Sequence, residues 1–196
     1  MAATPLAYRA LARVADLLLP LATPWSPKLA AGDRGRRGAV ERWRAWTSRN
    51  RDRARPLLWV HASSVGEGLQ AEAVLAPLRR RHPDWQIAYT FFSPSAVTLA
   101  ARQPADQADY LPYDTVPNVE AMLALLAPTA VVFTKLDLWP ELATRAAAAG
   151  VRVGMIAATV SPLSRRAKPL ARALTRSGYE ALTAAGAIAP ADADAL

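Results

Sequence analysis

The fold is decided by the stretch Leu57-Leu58-Trp59-Val60-His61-Ala62-Ser63-Ser64-Val65-Gly66-Glu67-Gly68. A short apolar run is followed by small polar residues and then by the start of a helical pattern. A strand that turns directly into a helix presents backbone N–H groups at the carboxyl edge of a sheet, where open α/β sheets bind their ligands. Glu67 is the only carboxylate in this turn, and it is the first candidate for chemistry.

The same alternation continues through the rest of the chain. Strands are predicted at Leu57–Val60, Gln86–Thr90, Ala130–Phe133 and Val151–Ala157, and more weakly at Asp109–Leu111 and Ala187–Ala189. Helices are predicted at Gly68–Arg81, Ser95–Gln103, Val116–Leu126, Leu138–Ala149 and Arg166–Thr183. Short apolar strands that alternate with helices predict an α/β fold, a Rossmann-like parallel sheet with helices on both faces.

The excess of basic residues lies at the N-terminus. Residues 1–55 hold 12 Lys and Arg against 4 Asp and Glu, whereas residues 56–196 hold 12 of each. We therefore expect a basic amphipathic arm, residues 1–55, in front of a domain, residues 56–196, with Gly32–Gly38 as the most linker-like stretch. A basic arm attracts polyanions, either an anionic membrane surface or nucleic acid.

The run Leu6–Leu21 favours the membrane. On a helix, Arg9, Arg13 and Asp16 share one face and leucines occupy most of the remaining arc, with Pro20 and Pro24 at the end. These charges argue against a membrane-spanning helix and favour an interfacial one. The alternative is a helix packed on the protein's own core with its arginines in water. Nucleic-acid binding is disfavoured because the helix is leucine-rich and the body neutral.

Composition and motifs exclude several other kinds of site. The chain has no cysteine, which excludes disulfides and thiolate chemistry, and only two histidines, which argues against a histidine-rich metal site. Neither a phosphate-loop motif nor a dinucleotide-binding glycine motif follows the first strand. We expect neither a metal nor a cofactor.

Glu67 has two interpretations. Ser64-Val65-Gly66-Glu67 matches a capping box, in which the glutamate side chain returns to the backbone at the start of the helix. Alternatively, Glu67 is a general base that takes a proton from an acceptor hydroxyl, with Gly66 and Gly68 giving the acceptor access to the backbone. The two roles compete for one carboxylate, so the direction in which Glu67 points distinguishes them.

Several motifs resemble those of one enzyme family. His61-Ala62-Ser63-Ser64-Val65-Gly66-Glu67 resembles the signature of the Kdo transferases, bacterial enzymes that add 3-deoxy-D-manno-octulosonic acid (Kdo) to lipid A. Three further family motifs follow in order: Thr90-Phe91-Phe92-Ser93-Pro94-Ser95, Leu111-Pro112-Tyr113-Asp114 and Leu136-Asp137-Leu138-Trp139-Pro140. The chain resembles the N-terminal domain of such an enzyme.

The resemblance implies the GT-B architecture, with two Rossmann-like domains facing across a cleft. The first would bind the lipid A precursor and carry the base, and the second, which we expect to be missing from these 196 residues, would bind the sugar donor CMP-Kdo. The implied activity is an inverting transfer of Kdo in lipopolysaccharide biosynthesis, at the cytoplasmic face of the bacterial inner membrane. The alternative is a non-catalytic lipid-binding module related to these enzymes.

The resemblance also assigns roles to matching residues. Glu67 corresponds to the family's general base, and Asp137 to the acid linked to its transition state. The expected substrate contacts are Ser63, Ser64, Gly66, Ser93, Ser95, Lys135 and Ser161. The chain departs from the family at Lys135, where a glutamate is expected, and before Ser161, where an arginine is expected.

Lys135, His61 and Asp114 have competing interpretations. The Lys135 ammonium group could bind a phosphate or carboxylate of a substrate, or it could pair with Asp137 or Glu141. His61, at a strand end, is more typical of a structural histidine than of a substrate contact. Asp114 is more typical of a turn or of a helix start than of a catalytic group.

Overall fold

The computed structural model describes residues 3–135, 137–159 and 169–194. The strands are β1 (Leu57–His61), β2 (Gln86–Phe91), β3 (Gln107–Tyr110), β4 (Ala130–Thr134), β5 (Arg152–Ala158) and β6 (Ala184–Ala187). The helices are α1 (Leu6–Ala22), α2 (Pro27–Arg36), α3 (Ala39–Asn50), α4 (Val65–Arg81), α5 (Val97–Ala100), α6 (Val116–Leu126), α7 (Pro140–Ala148), α8 (Pro169–Glu180) and α9 (Pro190–Asp194).

The six strands form one parallel sheet in the order β3-β2-β1-β4-β5-β6. The chain moves outward from β1 to β3, then returns to the other side of β1 and continues to β6. The loops after β1 and β4 therefore leave the sheet in opposite directions, and such a reversal opens a crevice at the carboxyl ends of the two strands. The predicted fold class is confirmed.

The central strands are buried on both faces. Every residue of β1 and β2 is buried, as expected for a parallel sheet that helices cover on either side. Successive side chains of β1 alternate between two apolar clusters: Leu57 and Trp59 pack in one, Leu58 and Val60 in the other. This double burial explains why the strands read as continuous apolar runs.

The predicted linker at Gly32–Gly38 is wrong. Helix α2 runs through Gly32 and Gly35 to Arg36. A Cβ atom on Gly35 would lie 2.3 Å from a ring carbon of Tyr110, so this glycine allows a helix to approach the body closely. A small residue at a packing contact and a small residue in a flexible linker look alike in sequence.

Several other elements differ from their predicted bounds, among them α4, which begins at Val65 and not at Gly68. The helix predicted at Ser95–Gln103 is a 3-10 turn, Pro94–Ala96, followed by the short α5, and it ends well before Pro104, which cannot continue a helix. Strand β6 begins three residues before the predicted Ala187–Ala189. Its alanine- and glycine-rich run has no alternation of large and small side chains that would mark a boundary.

Helix α3 packs on the body through Trp43. The Trp43 side chain is completely buried in the larger apolar cluster, and its Nε1 lies 3.5 Å from the carbonyl oxygen of Tyr110. Arg42 on the same helix forms a two-point ion pair with Asp109, with N–O distances of 2.6 and 2.8 Å. By charge α3 belongs to the basic arm, but by packing it contributes to the core.

Helix α1 turns its polar residues to the body and its apolar residues outward. Arg9 donates to the buried Glu141, whereas no residue of α1 is buried. The outward stripe consists of Leu6, Leu11, Val14, Leu17, Leu18, Leu21 and, beyond the helix, Trp25. The alternative of packing through the leucines on the core is therefore wrong. No helix of the described residues is long and apolar enough to cross a bilayer.

Candidate active site at the carboxyl edge of the sheet

Three loops meet at the carboxyl edge: residues 62–64 after β1, 92–95 after β2, and 135 and 137–139 after β4. The carbonyl oxygen of Ser63 accepts hydrogen bonds from the backbone N–H of Phe92, at 3.3 Å, and of Ser93, at 2.7 Å. The Ser63 hydroxyl contacts Asp137 on the third loop. Ser63 thus connects all three loops at the crevice between β1 and β4.

Glu67 closes a capping box at the start of α4. Its Oε2 accepts hydrogen bonds from the backbone N–H of Ser64, at 3.0 Å, and from the Ser64 hydroxyl, at 3.1 Å. The carboxylate points back to the helix start, which is the geometry of the capping interpretation. A catalytic role for Glu67 stays a prediction, and it requires the side chain to leave Ser64 when an acceptor binds.

The two glycines beside Glu67 differ in their surroundings. A Cβ atom on Gly66 would meet nothing within 4 Å, so this position is open to an approaching molecule. A Cβ atom on Gly68 would lie 2.7 Å from Leu99 and 2.9 Å from Tyr89 Oη, so Gly68 allows α4 to pack closely on the body. Gly66 alone is compatible with the predicted role in admitting the acceptor.

Asp137 lies on the loop after β4 and contacts the loop after β1. Its Oδ2 accepts the Ser63 hydroxyl and is 3.9 Å from His61 Nε2. The side chain is partly exposed to solvent. Asp137 and Glu67 are thus hydrogen-bonded to the consecutive residues Ser63 and Ser64, whose Cα atoms are about 3.8 Å apart. The tertiary structure brings together two acids that are far apart in sequence.

His61 is completely buried and fully engaged. Its Nε2 lies 2.8 Å from Ser63 Oγ and its Nδ1 lies 3.0 Å from Thr90 Oγ1, which also accepts Trp59 Nε1 at 2.9 Å. Burial lowers the pKa of His61 to about 4, although the nearby Asp137 acts in the opposite direction. His61 is therefore neutral at pH 7. The prediction of a structural histidine fits this burial. It did not include the hydrogen bonds that connect His61 through Ser63 to Asp137.

A row of aromatic rings lies next to His61 at the carboxyl edge of the sheet. The Trp139 ring lies 5.9 Å from His61 and 4.8 Å from Phe92, centroid to centroid. The Arg36 guanidinium lies 4.0 Å above the Phe92 ring and 4.8 Å from Tyr113, and it donates to the Phe92 carbonyl at 3.0 Å. The sequence predicts Arg36 in a basic cluster with Arg34, Arg37, Arg42 and Arg44 at a membrane surface, and this is wrong for Arg36, which is buried against the rings of Phe92 and Tyr113.

A cavity of about 360 Å³ opens beside this row, between α1 and the starts of α3 and α6. Its wall carries charges of both signs and an amide, from Asp16, Asp33, Arg37 and Asn118. Such a mixed polar wall suits a ligand with several hydroxyl groups, because hydroxyls both donate and accept hydrogen bonds.

The remaining predicted contacts are scattered. Ser93 and Ser95 bond to each other at 2.8 Å on the exposed loop after β2. Lys135 is exposed at the end of β4, and its backbone adopts the left-handed conformation (φ 62°), which is uncommon for a residue other than glycine. Of its two alternative partners, Asp137 and Glu141, the second is buried and bound by Arg9 and Arg145. Ser161 lies outside the described residues.

Asp114 fixes the helix that follows the Asp137 loop. It is buried, and its carboxylate accepts the backbone N–H groups of Glu141 and Leu142, both at 2.9 Å, and the Tyr8 hydroxyl at 2.7 Å. Asp114 thus caps α7 from a distant loop and ties α1 to the same point. Burial raises the pKa of Asp114 to about 6, against the lowering effect of these hydrogen bonds.

We expect Asp114→Asn to change how stability depends on pH. Because the folded pKa of Asp114 is raised above 3.8, the folded state binds more protons than the unfolded state between pH 4 and 6. The protonated Asp114 carboxyl therefore stabilises the folded state fully below pH 4. About 3 kcal/mol of this stabilisation is lost as the pH rises through 6. Urea unfolding of wild type and variant at pH 4 to 7 gives the two free energies of unfolding. An increase of the wild-type value relative to the variant value with rising pH would contradict the prediction.

Comparison with known proteins gives one family. A family model described as 3-deoxy-D-manno-octulosonic-acid transferase (kdotransferase) matches residues 36–196. A transferase of that name from Rickettsia felis is 33% identical over 89 residues, which cover 44% of this chain and 19% of the relative. One from Chlamydia muridarum is 29% identical over 130 residues, which cover 65% of this chain and 30% of the relative. The matched region is thus less than a third of these relatives' length.

Solved structures resemble the chain more distantly. The UDP-GlcNAc 2-epimerase of Neisseria meningitidis superposes with a TM-score of 0.47 and 13% identity, over 65% of this chain and 38% of the epimerase. At this level the similarity adds nothing to the topology that the sheet itself displays.

Proposed function

Because this chain belongs to the 3-deoxy-D-manno-octulosonic-acid transferase family, we propose that it is the acceptor-binding half of a GT-B glycosyltransferase. In this proposal the complete protein transfers Kdo from CMP-Kdo to a lipid A precursor, and a second domain binds the donor. The observation that carries the proposal is the position of Glu67 and Asp137, which flank the crevice between β1 and β4 and are bonded to adjacent serines.

The proposed reaction is an inverting displacement. A glucosamine hydroxyl of the acceptor attacks the anomeric carbon of CMP-Kdo, the bond to the cytidylate breaks, and Glu67 receives the hydroxyl proton. Asp137, on the opposite loop, stabilises positive charge that develops on the sugar as the cytidylate leaves. Glu67 first has to release Ser64, to which it is hydrogen-bonded in the capping box.

The acceptor is proposed to come from a membrane surface that α1 contacts. A row of large exposed apolar side chains on one helix is unusual for a protein surface and typical of an interfacial helix. The basic excess of residues 1–55 adds attraction to anionic headgroups. The cavity next to α1 would receive the sugar headgroup of the lipid. This geometry fits peripheral binding at the cytoplasmic face of a bacterial inner membrane.

We expect the double variant Leu17→Gln/Leu21→Gln to bind anionic vesicles at least about 100-fold more weakly, since burying one leucine contributes about 1.5–3 kcal/mol. Both side chains are about two-thirds exposed, at 67% and 65%. The matched control is Leu170→Gln/Ile188→Gln, which changes equally exposed side chains (73% and 59%) outside α1. Co-sedimentation with phosphatidylglycerol vesicles is the measurement, and equal binding by both variants would refute a role for α1.

A non-catalytic lipid-binding module is the second candidate. Two observations favour it: the Glu67 carboxylate is engaged in a helix cap, and a lysine occupies position 135, where the family motif has a glutamate. The two candidates differ in turnover. The complete natural protein that contains this chain is incubated with CMP-Kdo and a lipid A precursor in vesicles. Kdo transfer supports the enzyme, and lipid binding without any transfer supports the module.

A further inference from the structure

Four polar side chains at the carboxyl end of β1 and β2 are bonded to one another but take no step in the proposed reaction. Trp59 Nε1 contacts Thr90 Oγ1, Thr90 Oγ1 contacts His61 Nδ1, and His61 Nε2 contacts Ser63 Oγ, at 2.9, 3.0 and 2.8 Å. The Ser63 hydroxyl then reaches Asp137. Trp59, His61 and Thr90 are completely buried, so these groups must satisfy each other rather than bond to water.

The two ends of this series determine where its protons lie. An indole N–H only donates, so Trp59 donates to Thr90. An ionised carboxylate only accepts, so Ser63 gives its single proton to Asp137. His61 Nε2 then faces an oxygen whose proton is already used, and it must carry a proton itself. Because His61 is neutral, its Nδ1 is an acceptor, and Thr90 donates to it.

The competing arrangement relies on a longer contact and removes the hydrogen bond from Ser63 to Asp137. Thr90 could instead donate to the carbonyl oxygen of Val60, but that contact is 3.4 Å, longer than the 3.0 Å to His61. His61 would then carry its proton on Nδ1, and its Nε2 would need a proton from Ser63. Asp137 would lose its hydrogen bond from Ser63 unless it became protonated. The shorter contact between Thr90 and His61 and the hydrogen bond from Ser63 to Asp137 therefore both favour the first arrangement.

We propose that Trp59, Thr90, His61 and Ser63 form a directional hydrogen-bond chain that points at Asp137 and holds its carboxylate oriented towards the crevice. The proposal rests on the proposed function, in which Asp137 acts in the transfer reaction. The four residues are positioning residues. Ser63 in particular donates to Asp137, so it has no proton left to donate to a sugar hydroxyl.

The tautomer of His61 tests the chain directly. These 196 residues contain two histidines, so the 196-residue chain labelled with ¹⁵N-histidine gives two imidazole patterns, and His82→Gln identifies the one that belongs to His61. We expect neutral His61 protonated on Nε2 at pH 7, with no titration down to pH 5. A proton on Nδ1 would overturn the proposal. No substrate is involved, so this result does not depend on whether the proposed function holds.

Kinetics of the complete natural protein test the role of Ser63. We expect Ser63→Ala to lower kcat about 10- to 100-fold with little change in the acceptor KM, since a misplaced catalytic group slows the chemical step. Ser63→Thr, which keeps the hydroxyl, should recover most of the rate. Ser48→Ala, an exposed serine on α3, is the control. A raised KM at unchanged kcat would identify Ser63 as a substrate contact and overturn the proposal.

Discussion

Replacing Glu67 by glutamine should reduce Kdo transfer about 100- to 10,000-fold, which is the usual contribution of a general base. Glutamine has the same shape and still accepts the Ser64 N–H, so the capping box survives. It cannot take the proton of the acceptor hydroxyl at neutral pH. The variant therefore separates the two roles that compete for this carboxylate. The measurements are kcat for Kdo transfer by the complete natural protein and the urea-unfolding free energy.

The control for this prediction is Glu72→Gln, a second carboxylate on α4 outside the candidate site. It should change neither rate nor stability appreciably. Glu67→Ala, which removes the cap as well, should cost about 1 kcal/mol of stability. If Glu67→Gln keeps the wild-type rate while Glu67→Ala is only less stable, Glu67 is a cap and the base lies elsewhere.

Replacing Trp43 by alanine should destabilise the protein by about 3–5 kcal/mol, the usual cost of removing a buried aromatic side chain. Trp43 lies within the basic N-terminal stretch yet is completely buried between α3 and the sheet. A loss of this size is a large fraction of the stability of a small domain. Urea unfolding followed by circular dichroism measures it.

Trp25 is the matched control, because it belongs to the same stretch and is 83% exposed. Trp25→Ala should change the unfolding free energy by less than about 0.5 kcal/mol. Similar losses in the two variants would mean that α3 does not pack as described. A stable Trp43→Ala protein would argue that residues 1–55 form an arm independent of the core.

The fold could be predicted because burial imposes local patterns. A strand covered on both faces must be apolar throughout, and a strand that turns into a helix needs small polar residues between them. Both patterns are present in Leu57–Gly68. Helix α2 was not predicted, because its glycines make close contacts with Tyr110 and with other residues distant in sequence. Local sequence does not reveal which surface a glycine approaches.

The candidate site was predicted in part. Glu67 and Asp137 were selected by motif, and the sheet brings their loops to one edge. The buried partners were missed, since nothing local to His61 or Thr90 indicates that their side chains meet. The sequence does not distinguish Arg36 from the neighbouring arginines, because its stacking on Phe92 depends on how α2 packs.

The sequence by itself determined the order and type of the main elements, the basic N-terminus and the capping box at Glu67, because each depends on residues within a few positions of one another. Only the tertiary structure decided that Trp43 belongs to the core, that the leucines of α1 face outward and that Ser63 joins His61 to Asp137. These outcomes depend on contacts between distant residues, and the sheet order places β1 and β4 side by side. The stretch after β1 therefore becomes a candidate site only when the loop after β4 folds against it.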